Sequence, residues 1–382
     1  MKRKGNVIKL NSSLNHAAPD YWILLAVSAL LIFGIVMVYS ASYYYSIADY
    51  GISTYYFYRQ IMWVLIGAVV MVLFYVIDYH FWVERFWLIG YAIGLALLVL
   101  VMIPGIGTNT FGATRWIYIF GFSLMPGEIS KPCLILFLTG YFARYRDYGN
   151  KFLRGVVIPG IAAVAYFGLI MLQPNMSTAF TVVFITAGML IVAGITFMQF
   201  AFCGTLCVFA GAFLMFSSEY RRRRYTSFIN PFAEGVRLNE GWNAVQSLLA
   251  IGTGGIFGKG LGNSVQKNLY LPMGHNDFIL AVIGEELGFV GIMGLVSIFV
   301  FLFWRGINVA LKAKDYEGMM LSFGITFWIA VQVIIHFAVV TSSMPPTGVV
   351  LPFISYGGNS MLLFMAGAGM LLNISKYNNQ VD

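Results

Sequence analysis

An aspartate, Asp277, stands where a polar stretch meets an apolar run, in Leu271-Pro272-Met273-Gly274-His275-Asn276-Asp277-Phe278-Ile279-Leu280. A carboxylate in that place has two uses. It caps the first turn of a helix, or, held partly out of water, it serves as a general base whose pKa burial lifts towards neutrality. Glu285 and Glu286 follow two turns on, one expected against a neighbouring helix and the other lining a cavity. Glu128 and Lys131 form a second group; their spacing puts them on one helical face. They make either a private ion pair that lets a helix start at an interface or a polar wall facing a substrate. Arg115 and Trp116 lie in the loop just before them, and Arg221–Arg224 opens a longer loop. Four arginines either solvate the start of that loop or meet a polyanion, since guanidinium forks suit phosphate and pyrophosphate.

Other chemistries find little support. Four histidines, with no pair at helical spacing, argue against a transition-metal site. Cys133, Cys203 and Cys207 sit in apolar runs without disulfide or zinc spacing, and read as small buried hydrophobes. The glycine-rich stretches 105–112 and 252–262 lack both the lysine-Ser/Thr ending and the strand–turn–helix setting of a nucleotide loop. No Ser or Cys is arranged with a His as a nucleophile, and His275 reads as an incidental neighbour of Asp277 rather than its catalytic partner.

The elements that must position these groups are membrane helices. Of the 382 residues 59% are hydrophobic and 10% charged, whereas a soluble domain carries about a quarter charged residues. A spanning helix needs roughly 20 apolar residues, and runs of that length recur near 21–43, 59–77, 86–104, 129–143, 156–172, 177–195, 199–216, 278–304, 320–340 and 357–374. The expected fold is an all-α polytopic membrane protein of about ten transmembrane helices, with a large extracytoplasmic loop before the eighth. The runs at 129–143 and 156–172 are short enough for one to be re-entrant. The N-terminus reads as a polar tail and a retained first helix, not a cleaved signal.

Basic residues orient the chain. With the N-terminus inside, the cytoplasmic stretches collect 13 Lys and Arg, and the short outer loops collect Arg59, Arg115 and Lys131. Both termini are then cytoplasmic, and the net charge of +8 reflects loops beside anionic lipid rather than nucleic-acid binding. The long outer loop, about 217–277, carries Trp242, the apolar Ser247-Leu248-Leu249-Ala250-Ile251 and then glycines from Gly252 to Gly262. That pattern predicts a segment folded back on the membrane, its glycines allowing close backbone approach while it builds or roofs a cavity.

Several long motifs resemble the SEDS family of cell-wall glycan polymerases, as in RodA, FtsW and SpoVE. They are Gly112-Ala113-Thr114-Arg115-Trp116 with Pro126-Gly127-Glu128-Ile129-Ser130-Lys131; Leu271-Pro272 leading to Asp277-Phe278-Ile279 and Glu285-Glu286-Leu287-Gly288; and Pro346-Thr347-Gly348-Val349-Val350-Leu351-Pro352-Phe353-Ile354-Ser355-Tyr356-Gly357-Gly358. Met37-Val38-Tyr39-Ser40-Ala41-Ser42 and Gly260-Leu261-Gly262-Asn263-Ser264-Val265-Gln266-Lys267 place the likeness nearest the FtsW/SpoVE branch.

The resemblance covers about residues 19–375 and implies one transmembrane domain, 21–375, between cytoplasmic tails 1–20 and 376–382. It implies a glycosyltransferase of a bacterial cytoplasmic membrane that polymerises lipid II into peptidoglycan strands on the outer face, for division or sporulation, and releases undecaprenyl pyrophosphate. Asp277 would then be the catalytic carboxylate, deprotonating the 4-hydroxyl of the acceptor GlcNAc. Arg115, Trp116, Glu128, Lys131, Lys267 and Ser355 would bind substrate, with Arg115, Lys131, Lys267 and the Arg221–Arg224 run as candidate cations for the pyrophosphate. The implied partners are a class B penicillin-binding protein acting as transpeptidase, division or elongation regulators, membrane lipid and the lipid II substrate. No cofactor is firmly implied; a divalent cation, Mg or Mn, is an optional assistant that no carboxylate cluster predicts.

The chain departs from the family pattern at Met273 (usually Glu), Asn276 (usually Thr), Asn175 (usually Asp) and at Met125 and Gly127 around Pro126. The first two flank Asp277 and bear on its pKa and acceptor preference; none removes the carboxylate. A lipid II flippase or other transporter is the alternative, but it should show inverted repeats and polar groups reaching both sides. Here the polar motifs gather on the outer half. A non-catalytic scaffold is a third reading.

Overall fold

In the computed structural model the described residues are 18–110, 113–119, 122–146, 150–216, 228–233, 235–239, 241–346 and 348–377. The Arg221–Arg224 run lies outside them. Helices α1 (Tyr21–Tyr50), α2 (Tyr55–Val76) and α3 (Tyr79–Leu100) lead into strands β1 (Gly107–Thr110), β2 (Ala113–Ile119) and β3 (Phe122–Leu124). Next come α4 (Pro126–Arg144), α5 (Ile158–Leu172, entered through a π-helical turn, Phe152–Val157), α6 (Met176–Val192) and α7 (Phe197–Phe216). The chain ends with α8 (Trp242–Gly254), α9 (Ile279–Leu311), α10 (Tyr316–Val340) and α11 (Gly358–Ser375).

Each of the ten expected spans is a helix, and seven segments are long and apolar enough to cross a membrane. The other three are α4, which carries Glu128 and Lys131, and the shorter apolar α6 and α7. The chain is a multi-pass membrane protein. The run expected near 129–143 lies within α4, and the run near 156–172 lies in α5 and the π-helical turn before it.

The bundle is inverted relative to a soluble protein, with apolar side chains facing outwards as well as inwards. On α2 only Gln60, Trp63 and Gly67 are buried, a narrow i, i+3, i+7 seam against α11, while Leu65, Val69 and Val76 point away from the protein. The seam needs small residues, since helices in lipid associate by close packing rather than by water exclusion: Gly67 abuts Met365, and Gly358 abuts Trp63. The centre is formed by α4, α9, α10 and α11.

Polar clamps close the end of the bundle where α1 begins. The Asp20 carboxylate caps α1 through Trp22 N–H and accepts Arg305 Nη2 at 2.6 Å, while Asp20 N–H donates to Ser375 Oγ. Nearby, His80 bridges Asp78 (2.7 Å) and Asp315 (3.1 Å). Although burial raises the Asp315 pKa, hydrogen bonds from His80, the Gly318 N–H and Tyr79 bring it down to about 2.

The opposite end holds Asp277. There the loop between α3 and α4 is an antiparallel meander, β1-β2-β3, with Gly107 opposite Ile117 and Ile117 opposite Leu124. The all-α expectation did not include this sheet.

The glycine run in the loop after α7 packs against α9. Helix α9 is broken at Gly288 (φ 66°, ψ −164°), and a break at membrane depth must have its backbone groups satisfied by protein. The glycine run does this: Lys259 N–H and Gly260 N–H donate to the Glu285 and Glu286 carbonyls (both 2.9 Å). Phe289 and Val290 N–H donate back to the Gly255 and Ile256 carbonyls (2.9 and 3.0 Å). A β-carbon on Gly288 would come within 2.3 Å of the Gly258 nitrogen, and one on Gly258 within 2.2 Å of the Glu286 oxygen, so both positions require glycine.

Candidate active site

Asp277 sits on the turn 271–278, one residue before the N-cap of α9. The N-cap is Phe278, and no side chain caps the helix, so the capping role open to Asp277 goes unused. Among the described residues its carboxylate has no hydrogen-bond or ion-pair partner. It keeps partial access to solvent while being enclosed by protein. Burial raises its pKa, the Arg115 charge offsets part of that, and the net value is about 6.

The turn carrying Asp277 is held from three directions. Tyr45 of α1 donates to the Leu271 carbonyl (3.1 Å), and Trp242 Nε1 of α8 donates to the Tyr270 carbonyl (2.7 Å). From the segment before α11, Ser355 Oγ donates to the Asn276 carbonyl (2.7 Å) while accepting from Leu351 N–H (2.9 Å), and Tyr356 N–H donates to the His275 carbonyl (3.1 Å). The same segment brings Gly348 (φ 71°) against the acid; a β-carbon there would lie 3.3 Å from Asp277 Oδ2.

Arg115 lies on β2, where Nε donates to the Gln173 carbonyl (3.2 Å) and Nη2 to that of Pro174. It thus ties the sheet to the turn between α5 and α6, and is the cation whose charge reaches Asp277. Trp116 is next to it, half-buried, with its carbonyl accepting Thr108 Oγ1.

Glu128 and Lys131 lie in the first turns of α4. Lys131 is 1% exposed and donates to Glu128 Oε1 (2.7 Å) and to Gln332 Oε1 of α10 (2.9 Å), and Ser360 Oγ of α11 donates to Glu128 Oε2 (3.2 Å). This is the private ion pair, extended into a four-residue knot that joins three helices. Lys267 is likewise 3% exposed, donating to Glu286 Oε1 (2.8 Å) and to Ser40 Oγ of α1 (3.0 Å). Ser355 holds backbone.

Glu285 and Glu286 lie about two turns into α9. Both are fully buried. Glu285 accepts Lys259 Nζ (2.6 Å), Ser264 Oγ (2.5 Å) and the N–H groups of Val265 and Gln266 (3.1 Å each). The two acids fasten the glycine run to the broken helix and so fix the loop leading to Asp277.

His275 is packed among Tyr45, Tyr56 and Tyr356, at centroid distances of 5.5, 4.5 and 5.9 Å. Burial pushes its imidazole down to about 4, which keeps it neutral, and it makes no hydrogen bond to the Asp277 carboxylate. Cys133 and Cys203 are partly rather than fully buried.

Sequence reasoning missed Ser40, Gln332 and Ser360, which complete the two knots. Each is an isolated polar residue among apolar neighbours, a signal that marks functional or paired groups in membrane helices. No three His, Cys, Asp or Glu among the described residues stand close enough together to hold a metal.

A family model described as cell cycle protein, covering FtsW, RodA and SpoVE, matches residues 21–380. The chain is 39% identical over 360 residues to a probable peptidoglycan glycosyltransferase FtsW of Trichlorobacter lovleyi, covering 94% of this chain and 93% of that one. It is also 39% identical over 365 residues to the stage V sporulation protein E of Bacillus subtilis, covering 94% and 98%. Among solved structures it superposes on a chain of a peptidoglycan synthase complex that coordinates polymerization and crosslinking (TM-score 0.77, 24% identity, 95% and 99% covered). It also superposes on the rod shape determining protein RodA of Thermus thermophilus (TM-score 0.70, 24% identity, 95% and 98% covered). At that identity the two structures speak to the fold.

Proposed function

The chain belongs to the FtsW, RodA and SpoVE family of cell cycle proteins, and on that premise we propose how its site works. It is a peptidoglycan glycosyltransferase. The observation that carries the mechanism is Asp277: a carboxylate without a hydrogen-bond partner among the described residues, with a pKa of about 6, on a turn held from three sides. A base is most effective when its pKa lies near the working pH. Asp277 takes the proton from the acceptor 4-hydroxyl as that oxygen attacks the anomeric carbon of the lipid-linked donor; the C–O bond to pyrophosphate breaks, and undecaprenyl pyrophosphate leaves.

Arg115, whose charge reaches Asp277, would meet charge developing on the leaving group. Lys131 and Lys267 serve the reaction through position, because their charges are already spent on buried carboxylates. Trp116 and the Arg221–Arg224 run remain candidates for substrate contact. Asp277 offers a divalent ion one carboxylate ligand, which fits Mg2+ held mainly by substrate phosphates; bound there, the ion would neutralise the pyrophosphate. The basic-residue asymmetry supports cytoplasmic termini and an extracytoplasmic Asp277, where a class B penicillin-binding protein would crosslink the new strands.

The test is lipid II polymerisation by the purified protein with its penicillin-binding protein, comparing wild type with Asp277→Asn. Strands from wild type and none from a folded variant are expected. Equal activity of the two would overturn the role of Asp277, and no activity from either assembled complex would bring the transporter reading forward.

A further inference from the structure

Helix α1 has 30 residues, so it is about 45 Å long against a hydrocarbon core of about 30 Å. Its last turns and the first turn of α2 therefore stand clear of the core, at the Asp277 end. This hairpin is rich in tyrosine. Tyr50 and Tyr55 stack face to face (3.5 Å, 14°), and Tyr56 sets its ring edge-on to both (5.8 and 5.4 Å). Tyr56 then packs on His275 (4.5 Å) and Tyr356 (5.0 Å), the two residues whose backbones join at the turn carrying Asp277. An unbroken path of rings thus runs from the rim of the molecule to the turn that carries the candidate base.

The rim also carries charge. Asp49 is exposed and accepts Tyr56 Oη (3.3 Å); Arg59 donates to Tyr55 Oη (2.8 Å) and lies over that ring (5.5 Å). Tyr50 remains 46% exposed. Ring faces combined with one carboxylate and one guanidinium suit a pyranose, which presents an apolar C–H face and a rim of hydroxyls. A bilayer interface asks for amphipathic rings at headgroup level but not for such charged partners. The exposed Tyr39, Tyr44 and Tyr58 fit that second role.

We propose that the Tyr50–Tyr55–Tyr56 ledge, with Asp49 and Arg59, binds saccharide units of the growing glycan strand beyond the reacting sugar. The proposal rests on the polymerase reading: a polymer made at Asp277 has to run along the protein, and the ledge adjoins that turn.

The test titrates soluble GlcNAc–MurNAc oligosaccharides into the full-length purified protein, with binding read by saturation-transfer NMR and calorimetry. Tyr50→Leu/Tyr55→Leu should weaken binding about tenfold, the loss of two stacking rings; Tyr50→Phe/Tyr55→Phe should stay close to wild type and serves as the folded control. Asp49→Asn, at an exposed site, should weaken it by a smaller factor. In polymerisation assays the Leu pair should make shorter strands than the Phe pair. Unchanged oligosaccharide binding in the Leu pair would overturn the proposal, as would a defect confined to vesicle reconstitution, which would make the ledge a bilayer anchor. Wild type that polymerises lipid II without binding oligosaccharide would overturn the ledge and leave the polymerase reading standing. Ledge-dependent binding without polymerisation would support the ledge and count against the polymerase reading.

Discussion

Replacing Lys267 by Met distinguishes a lysine that meets substrate from one that holds the scaffold. The Nζ is buried and makes two bonds, 2.8 Å to Glu286 and 3.0 Å to Ser40. Its removal strands a fully buried carboxylate that retains, among the described residues, Ser40 Oγ and a 3.4 Å contact with Ser264 N–H. Breaking one side of such a pair costs about 3–5 kcal/mol, whereas replacing both charges is often close to neutral. Lys267→Met should therefore lower the thermal transition of the detergent-purified protein by several degrees. Lys267→Met/Glu286→Gln should recover most of that loss, together with polymerase activity, because a glutamine oxygen still accepts from Ser40. The assay is thermal unfolding alongside kcat and KM for lipid II. A Lys267→Met protein that is as stable as wild type but has a raised KM, with no rescue by the second change, would refute the positioning role and return Lys267 to the substrate.

Further outcomes follow from the same geometry. With the Asp277 carboxyl at about 6, the ionised base falls roughly tenfold between pH 7 and pH 5, so the acid limb of kcat/KM should have its midpoint near pH 6. Because the folded-state pKa is raised from 3.8, this group loses stabilising effect as the pH rises from about 4 through 6; Asp277→Asn should melt higher than wild type at pH 7 and level with it below pH 4. Arg115→Gln removes the charge that lowers the Asp277 pKa and should move the acid limb upwards, as read from the pH–rate profile. Gly288→Ala adds a β-carbon 2.3 Å from the Gly258 nitrogen at a positive φ and should cost more than the roughly 1–3 kcal/mol of backbone strain alone, seen as loss of folded protein on size exclusion.

What the sequence determined by itself was whatever depends on residue type and order along the chain. Apolar runs of spanning length dictate a helical bundle because backbone in lipid must satisfy itself locally, and all ten runs are helices. The resemblance carried by the motifs around Arg115, Asp277 and Ser355 located the family and the candidate base. The glycine run was legible as a close-approach segment, since only glycine allows backbone within about 2–3 Å of where a β-carbon would sit. Tertiary structure decided what depends on partners distant in sequence. Lys131 reaches Gln332 and Lys267 reaches Ser40 across 201 and 227 residues, so neither of these bonds could be read from the lysine's neighbours, whereas the Glu128–Lys131 pair was legible in its spacing. The same holds for β1-β2-β3, whose short strands exist through their register with one another. It holds too for Asp277, whose pKa is raised by the protein folded around it.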